Sequence, residues 1–175
     1  IKAGAQRIAA ELGLMLVTPD TSPRGTGVAG ADAAWDFGHG AGFYLDATQL
    51  PWAHHWRMES WLLQELLPLV WGGAPVRQSA TGLFGHSMGG HGALTLALRH
   101  QGVFNSLSAL APICAPMLCP WGVKAFSGYL GDDRSAWAAH DASALMAAQT
   151  AAPYPQGILV DQGLAKPVLL ARREN

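Results

Sequence analysis

Apolar positions along the chain alternate between helical and extended patterns. Residues 3–12 are rich in alanine and stop at Gly13, which predicts a helix. Leu14-Met15-Leu16-Val17 then runs apolar into Thr18-Pro19-Asp20, as a buried strand does before a loop. From Arg57 onward, Met58, Trp61, Leu62, Leu66, Leu69 and Val70 recur at helical spacing, with Pro68 set to kink or end the last turn. Residues 81–84 form a short strand candidate and residues 91–100 a helix; residues 106–111 and 157–161 are two further strands. Between the last two lies an irregular stretch with Trp121 and Trp137, then a helix over 142–148. Strands separated by helix-length segments predict βαβ units and a parallel sheet.

Residues 21–42 are rich in Gly, Pro and Asp and show no sustained period. A loop of this length is either a surface excursion or a segment ordered against a site.

At 175 residues the chain is expected to form one domain. Hydrophobic residues make up 50% of it and charged residues only 13%, against roughly 25% charged in an average soluble domain, so much of the sequence expects burial. The 11 Lys and Arg nearly balance the 12 Asp and Glu, for a net charge of -1. Neither nucleic acid nor an anionic membrane is therefore an expected partner. No apolar run approaches the ~18 residues of a membrane span, and Ile1-Lys2-Ala3-Gly4 shows no signal peptide, so a soluble intracellular protein is expected. The absence of an initiator Met leaves a processing site, a boundary or a break in a longer gene as readings of the start.

Cys114 and Cys119 have four residues between them, the wrong spacing for a redox pair or zinc knuckle, and are read as reduced and structural. The seven His include no H-E-x-x-H pattern, and the adjacent His54 and His55 point apart on most backbones, so no metal site is expected.

The chemistry concentrates in Gly85-His86-Ser87-Met88-Gly89, a G-x-S-x-G motif placed after a strand and before a helix. A serine on that sharp turn projects its hydroxyl above the sheet, and the close-packed backbone admits little more than hydrogen at the flanking glycines. Ser87 is the predicted nucleophile, and the Met88 backbone N–H the predicted donor to the oxyanion of a tetrahedral intermediate. The fold class this indicates is α/β, an α/β-hydrolase fold with a parallel sheet and flanking helices. His86 is expected to pack beneath the turn and His91 to pack behind it. In this fold the order is nucleophile, acid, then His. No His follows residue 158, and His140, the last one, is a weak candidate for a substitute base.

Several stretches then resemble one family. Phe84-Gly-His-Ser87-Met-Gly-Gly-His-Gly-Ala-Leu94, Thr18-Pro-Asp-Thr-Ser-Pro-Arg-Gly25, Gly40-Ala-Gly-Phe-Tyr-Leu-Asp-Ala-Thr48, Ala111-Pro-Ile-Cys114, Cys119-Pro-Trp-Gly122, Lys124-Ala-Phe-Ser-Gly-Tyr-Leu-Gly131 and Asp161-Gln-Gly163 are similar to S-formylglutathione hydrolase, also called esterase D. The resemblance runs from residue 1 to about residue 165. It implies a cytoplasmic serine thioesterase that hydrolyses S-formylglutathione to glutathione and formate in formaldehyde detoxification. It further implies no cofactor, a small-molecule thioester substrate and a possible homodimer.

The departures from the family pattern imply a single partial domain over residues 1–175 with an incomplete sheet. Family members carry preceding strands and a loop supplying the other oxyanion donor, and Ile1 falls just after that loop. The family's acid follows the Asp-Gln-Gly motif by a few residues, where this chain reads Gly163-Leu164-Ala165-Lys166-Pro167. Lys166 stands at or beside that place, Asp161 matches the motif without matching the triad position, and the family's His would lie beyond Asn175. The loss of resemblance after Ala165 reads as a fragment end or frameshift.

Without the strand that separates them in this fold, residues 14–17 and 81–84 are expected to leave an unfilled slot or to re-pair. An open buried edge costs ~1 to 3 kcal/mol per unsatisfied group and templates aggregation. Poor autonomous stability is therefore expected, and with the family's acid, His and second oxyanion donor absent at their positions the isolated chain is expected to be inactive. The alternatives are a noncatalytic fragment or interaction protein, and a general carboxylesterase of the same fold.

Overall fold

The computed structural model describes residues 4–163. Helix α1 (Ala5–Glu11) ends where the sequence predicts, with Gly13 at φ 65° supplying the left-handed turn beyond it. Residues 14–17 then depart from expectation. They join no ladder, and Leu14, Met15 and Val17 are 59%, 51% and 45% exposed. The apolar run is strand-like in composition, but among the described residues no neighbouring strand offers it backbone partners, and it does not re-pair with the sheet.

Helix α2 (Met58–Trp61) passes through a π turn at Leu62–Leu66 into α3 (Leu67–Gly73). Pro68 does not end this segment: it sits in the first turn of α3, where its missing N–H is tolerated, directly after the π turn. Trp71 Nε1 donates to Thr81 Oγ1 at 3.0 Å, tying the end of α3 to the entry of the sheet.

Strand β1 (Gly82–His86), helix α4 (Met88–Arg99) and strand β2 (Ser106–Leu110) form a βαβ unit. The stretch expected to be irregular instead contains α5 (Pro120–Leu130) and α6 (Arg134–Trp137), and the helix expected over 142–148 follows as α7 (Ala142–Ala147). Pro at the first position of α5 and Gly131 just past its end are the signals that mark it. Strand β3 (Leu159–Asp161) completes a parallel sheet of order β1-β2-β3. Register pairs Leu83 with Leu107 and Gly85 with Ala109, and Ala109 in turn with Val160.

Period-two alternation decides the faces. Leu83, Leu107 and Ala109 pack with Ala93, Leu94, Leu96 and Ala97 of α4 and Ala142 of α7 in one core. Each such fully buried Leu contributes roughly 1.5 to 3 kcal/mol. The opposite face, carrying Phe84 and Leu159, is more than half exposed at both residues. A second core joins Ala31, Ala41, Phe43, Leu45 and Trp56 to Phe126, Tyr129 and Leu130 of α5.

This second core resolves the nature of residues 21–42: they are ordered. Tyr129 Oη donates to the Ala41 carbonyl at 2.9 Å and accepts from the Gly38 amide at 2.8 Å. Trp121 Nε1 donates to the Asp36 carbonyl at 2.6 Å, and Lys124 pairs with Asp36 at 2.5 Å. Side chains from α5 thus supply the hydrogen bonds that a segment without regular structure needs for its buried backbone.

Candidate active site

One residue separates β1 from α4. Ser87 turns the chain at φ 57° and ψ -118°, a conformation that an L-residue adopts only under constraint. Three backbone hydrogen bonds impose it. The Ser87 amide donates to the Leu110 carbonyl at 2.8 Å, and its carbonyl accepts from the amides of His91 at 3.0 Å and Ile113 at 3.4 Å. The turn is therefore clamped to the end of β2, the first turn of α4 and the loop after β2.

Of the two glycines flanking Ser87, contact explains Gly85 but, contrary to expectation, not Gly89, where a β-carbon would meet nothing nearer than the Tyr44 hydroxyl at 3.9 Å because that position opens away from the strand; the second close approach falls one residue on, at Gly90. A β-carbon on Gly85 would overlap the Gly89 carbonyl, and one on Gly90 would lie 3.0 Å from Pro112 Cβ and 3.1 Å from the Gly85 carbonyl oxygen. The backbone of strand and helix approach each other too closely for side chains there. Met88 is the first residue of α4, so its amide is one of four at this end without an intrahelical acceptor, and the helix dipole adds partial positive charge. A hydroxyl beside such amides, on a half-buried serine, is suited to acyl transfer, in which negative charge develops on the attacked carbonyl oxygen.

The histidines divide. His86 is exposed, contrary to the expectation that it packs beneath the turn: it shares a strand face with Phe84, and no helix covers that face among the described residues. His91 is buried as expected, with its ring edge-on to Phe43 at 5.4 Å. Burial pushes its pKa down to about 4, the carbonyls of Ile113 and Phe43 offsetting part of the effect, so the ring is neutral at pH 7. Its Nδ1 has no hydrogen-bond partner among the described residues.

His140 lies elsewhere. Both of its ring nitrogens are 3.4 Å from Arg99 Nη1, and burial together with that guanidinium brings its pKa down to about 4. No histidine among the described residues hydrogen-bonds Ser87, whose own hydroxyl has no partner among them. Asp161 serves β3 through its backbone, its carbonyl accepting from the Ala111 amide at 2.6 Å, while its side chain is exposed. Lys166 lies outside the described residues. Cys114 and Cys119 are half-buried. Among the described residues no group of three His, Cys, Asp or Glu side chains is placed to hold a metal ion.

Two features outside the G-x-S-x-G motif fix α4, one packed along its first turns and one at its far end. Phe43 and Tyr44 are consecutive non-glycine residues at φ 52° and 53°, and Tyr44 packs against both cores. Buried Glu59 accepts from Arg99 Nε at 3.0 Å and His100 Nε2 at 2.6 Å, fastening the end of α4 to α2. The glycines around Phe43 hint at the first; nothing in the spacing of Glu59 and Arg99 announces the second. A cavity of about 460 Å³ lined by Asp20, Arg24, His54, Arg57 and Trp61, among others, includes no residue of the Ser87 turn.

The family model described as Putative esterase matches residues 1–173. The chain is 52% identical over 163 residues to S-formylglutathione hydrolase of Rattus norvegicus, an alignment covering 93% of this chain and 57% of that protein. It is 50% identical over 177 residues to S-formylglutathione hydrolase of Paracoccus denitrificans, covering 97% and 62% respectively. The solved structure of an S-formylglutathione hydrolase from Agrobacterium tumefaciens superposes with a TM-score of 0.85 at 47% identity, covering 91% of this chain and 57% of that one. The chain thus spans about three-fifths of the length of the curated relatives it matches. With a strand, a one-residue turn at Ser87 and a helix in the order the hydrolase sheet requires, and a family match across nearly all of its length, the chain belongs to the esterase family.

Proposed function

We propose that the protein carrying this chain is a serine thioesterase that hydrolyses S-formylglutathione to glutathione and formate, a cytoplasmic step of formaldehyde detoxification. The observation that carries the reading is the constrained turn at Ser87 between β1 and α4. The similarity to S-formylglutathione hydrolases at about half identity supports the substrate.

In this reading Ser87 Oγ attacks the thioester carbonyl and loses its proton to a base. The Met88 amide donates to the oxyanion of the tetrahedral intermediate. Collapse breaks the C–S bond, releasing glutathione and leaving a formyl group on Ser87, which water then transfers to formate. A thiolate leaves more readily than an alkoxide or amide, so protonation of the leaving group demands little. The described residues supply the nucleophile and one oxyanion donor; no described histidine reaches Ser87, so residues 4–163 by themselves turn over negligibly. A homodimer is the assembly that the resemblance suggests.

The test compares hydrolysis of S-formylglutathione with that of a simple aryl ester by the purified protein. A higher kcat/KM for S-formylglutathione, abolished by Ser87→Ala, supports the reading; a strong preference for the aryl ester replaces it with a general carboxylesterase.

A further inference from the structure

Tyr44 is built against the turn that holds Ser87. Its ring lies so close along α4 that a β-carbon on Gly92 would overlap the ring atoms, which makes glycine at 92 the seat for this side chain. The ring runs toward the start of the helix. A β-carbon added to Gly89, two residues after Ser87, would meet the Tyr44 hydroxyl at 3.9 Å and nothing else within 4 Å beyond its own turn. The hydroxyl therefore borders open space beside the first turn of α4, the end whose amides lack helical acceptors.

That hydroxyl is uncommitted. It makes no hydrogen bond to any described residue, although the side chain is half-buried and touches both cores. Its backbone is held at φ 53° directly after Phe43 at φ 52°, with Phe43 locked among His91, Trp121 and Phe126. Packing alone does not need the oxygen: a phenylalanine would fill the same groove. Burial and the nearby Asp20 carboxylate hold the phenol in its neutral, proton-bearing form.

We propose that the Tyr44 hydroxyl is a hydrogen-bond donor to the substrate in the Ser87 site, contacting the acyl-thioester group bound over the first turn of α4. The proposal rests on the hydrolase reading of Ser87. It adds to the Met88 amide a side-chain donor from outside the G-x-S-x-G motif. A donor at this position steadies the carbonyl before attack and strengthens its contact as the oxygen gains charge, so its loss falls on turnover.

The test uses the whole protein that carries this chain, as Tyr44→Phe, with the unsubstituted protein and Ser87→Ala alongside. Tyr44→Phe keeps the wedge against Gly92 and removes one oxygen. The expected result is a drop of about tenfold or more in kcat for S-formylglutathione, with the thermal unfolding midpoint unchanged. An undiminished kcat in Tyr44→Phe overturns the proposal while leaving the hydrolase reading intact. A drop in kcat matched by a fall in the unfolding midpoint also overturns it, since the oxygen would then serve stability. Absence of Ser87-dependent turnover in the unsubstituted protein overturns the hydrolase reading and this inference with it.

Discussion

The amide of Ser87 donates to the carbonyl of Leu110 across 2.8 Å, so the turn between β1 and α4 is fastened to the last residue of the neighbouring strand. The geometry of the proposed nucleophile thus depends on β1–β2 pairing as well as on local sequence. A backbone conformation of this kind costs on the order of 1 to 3 kcal/mol and persists only where its surroundings over-determine it.

Strain at Ser87 is therefore measurable. Ser87→Gly, which relieves the positive φ, is expected to be about 1 to 2 kcal/mol more stable than Ser87→Ala after allowing for glycine's greater unfolded-state entropy. Denaturant unfolding of the two inactive variants reads the difference directly. A Ser87→Gly variant less stable than Ser87→Ala by about 0.5 to 1 kcal/mol, glycine's entropic cost alone, would mean that the turn carries no strain.

Gly85→Ala is expected to be destabilising by about 1 to 3 kcal/mol, because its β-carbon would overlap the Gly89 carbonyl and backbone must move to admit it. The same displacement shifts Ser87, so activity should fall by more than the lost stability explains. Activity measured well below the unfolding transition separates the two effects.

Buried His91 and half-buried His140 both weigh on the response to acid. His91 and His140 titrate near 4 in the folded chain and near 6.5 when unfolded. Burial dominates both; Arg99 and His91 further oppose protonation of His140, and Asp46 favours it. The unfolded chain binds these protons first, so the stability tied to neutral rings is complete above pH 6.5 and is lost as pH falls toward 4. The loss approaches roughly 3 kcal/mol per ring at the lower limit. Unfolding midpoints measured between pH 7 and pH 4 should fall steadily, and His140→Gln should flatten part of the slope.

Glu59 couples α2 to the end of α4 through Arg99 and His100. Glu59→Gln is expected to cost about 1 to 3 kcal/mol, since it takes the carboxylate from a half-buried guanidinium. In a double-mutant cycle with Arg99→Gln the two losses should be less than additive. Strict additivity would show that the ion pair contributes nothing.

How much of this was legible in the sequence follows from the range of the forces involved. The elements of the turn at Ser87 are local, one strand, one residue and one helix within residues 82–99, although Leu110 and Ile113 complete its clamp. Gly85 announces the close contact in the sequence; Gly90, which shares it, lies outside the G-x-S-x-G motif. Residues 14–17 show the opposite case, for an apolar run becomes a strand only when another strand lies beside it, and none does among the described residues. His86 is exposed for a related reason: which face of β1 is covered depends on elements remote in sequence. The order in residues 21–42 comes from Tyr129 and Trp121, some 90 positions away, which no period within the loop encodes. Helix α5 was marked by Pro120 and Gly131, but its mix of Gly, Ser and aromatic residues hid the helical stripe.

The most direct test of the account is labelling of the whole protein with a fluorophosphonate probe, followed by mass mapping of the adduct. The expected result is a single adduct on Ser87 that disappears in Ser87→Ala. An adduct on another residue, or none in a folded protein, would contradict the assignment of Ser87 as the nucleophile.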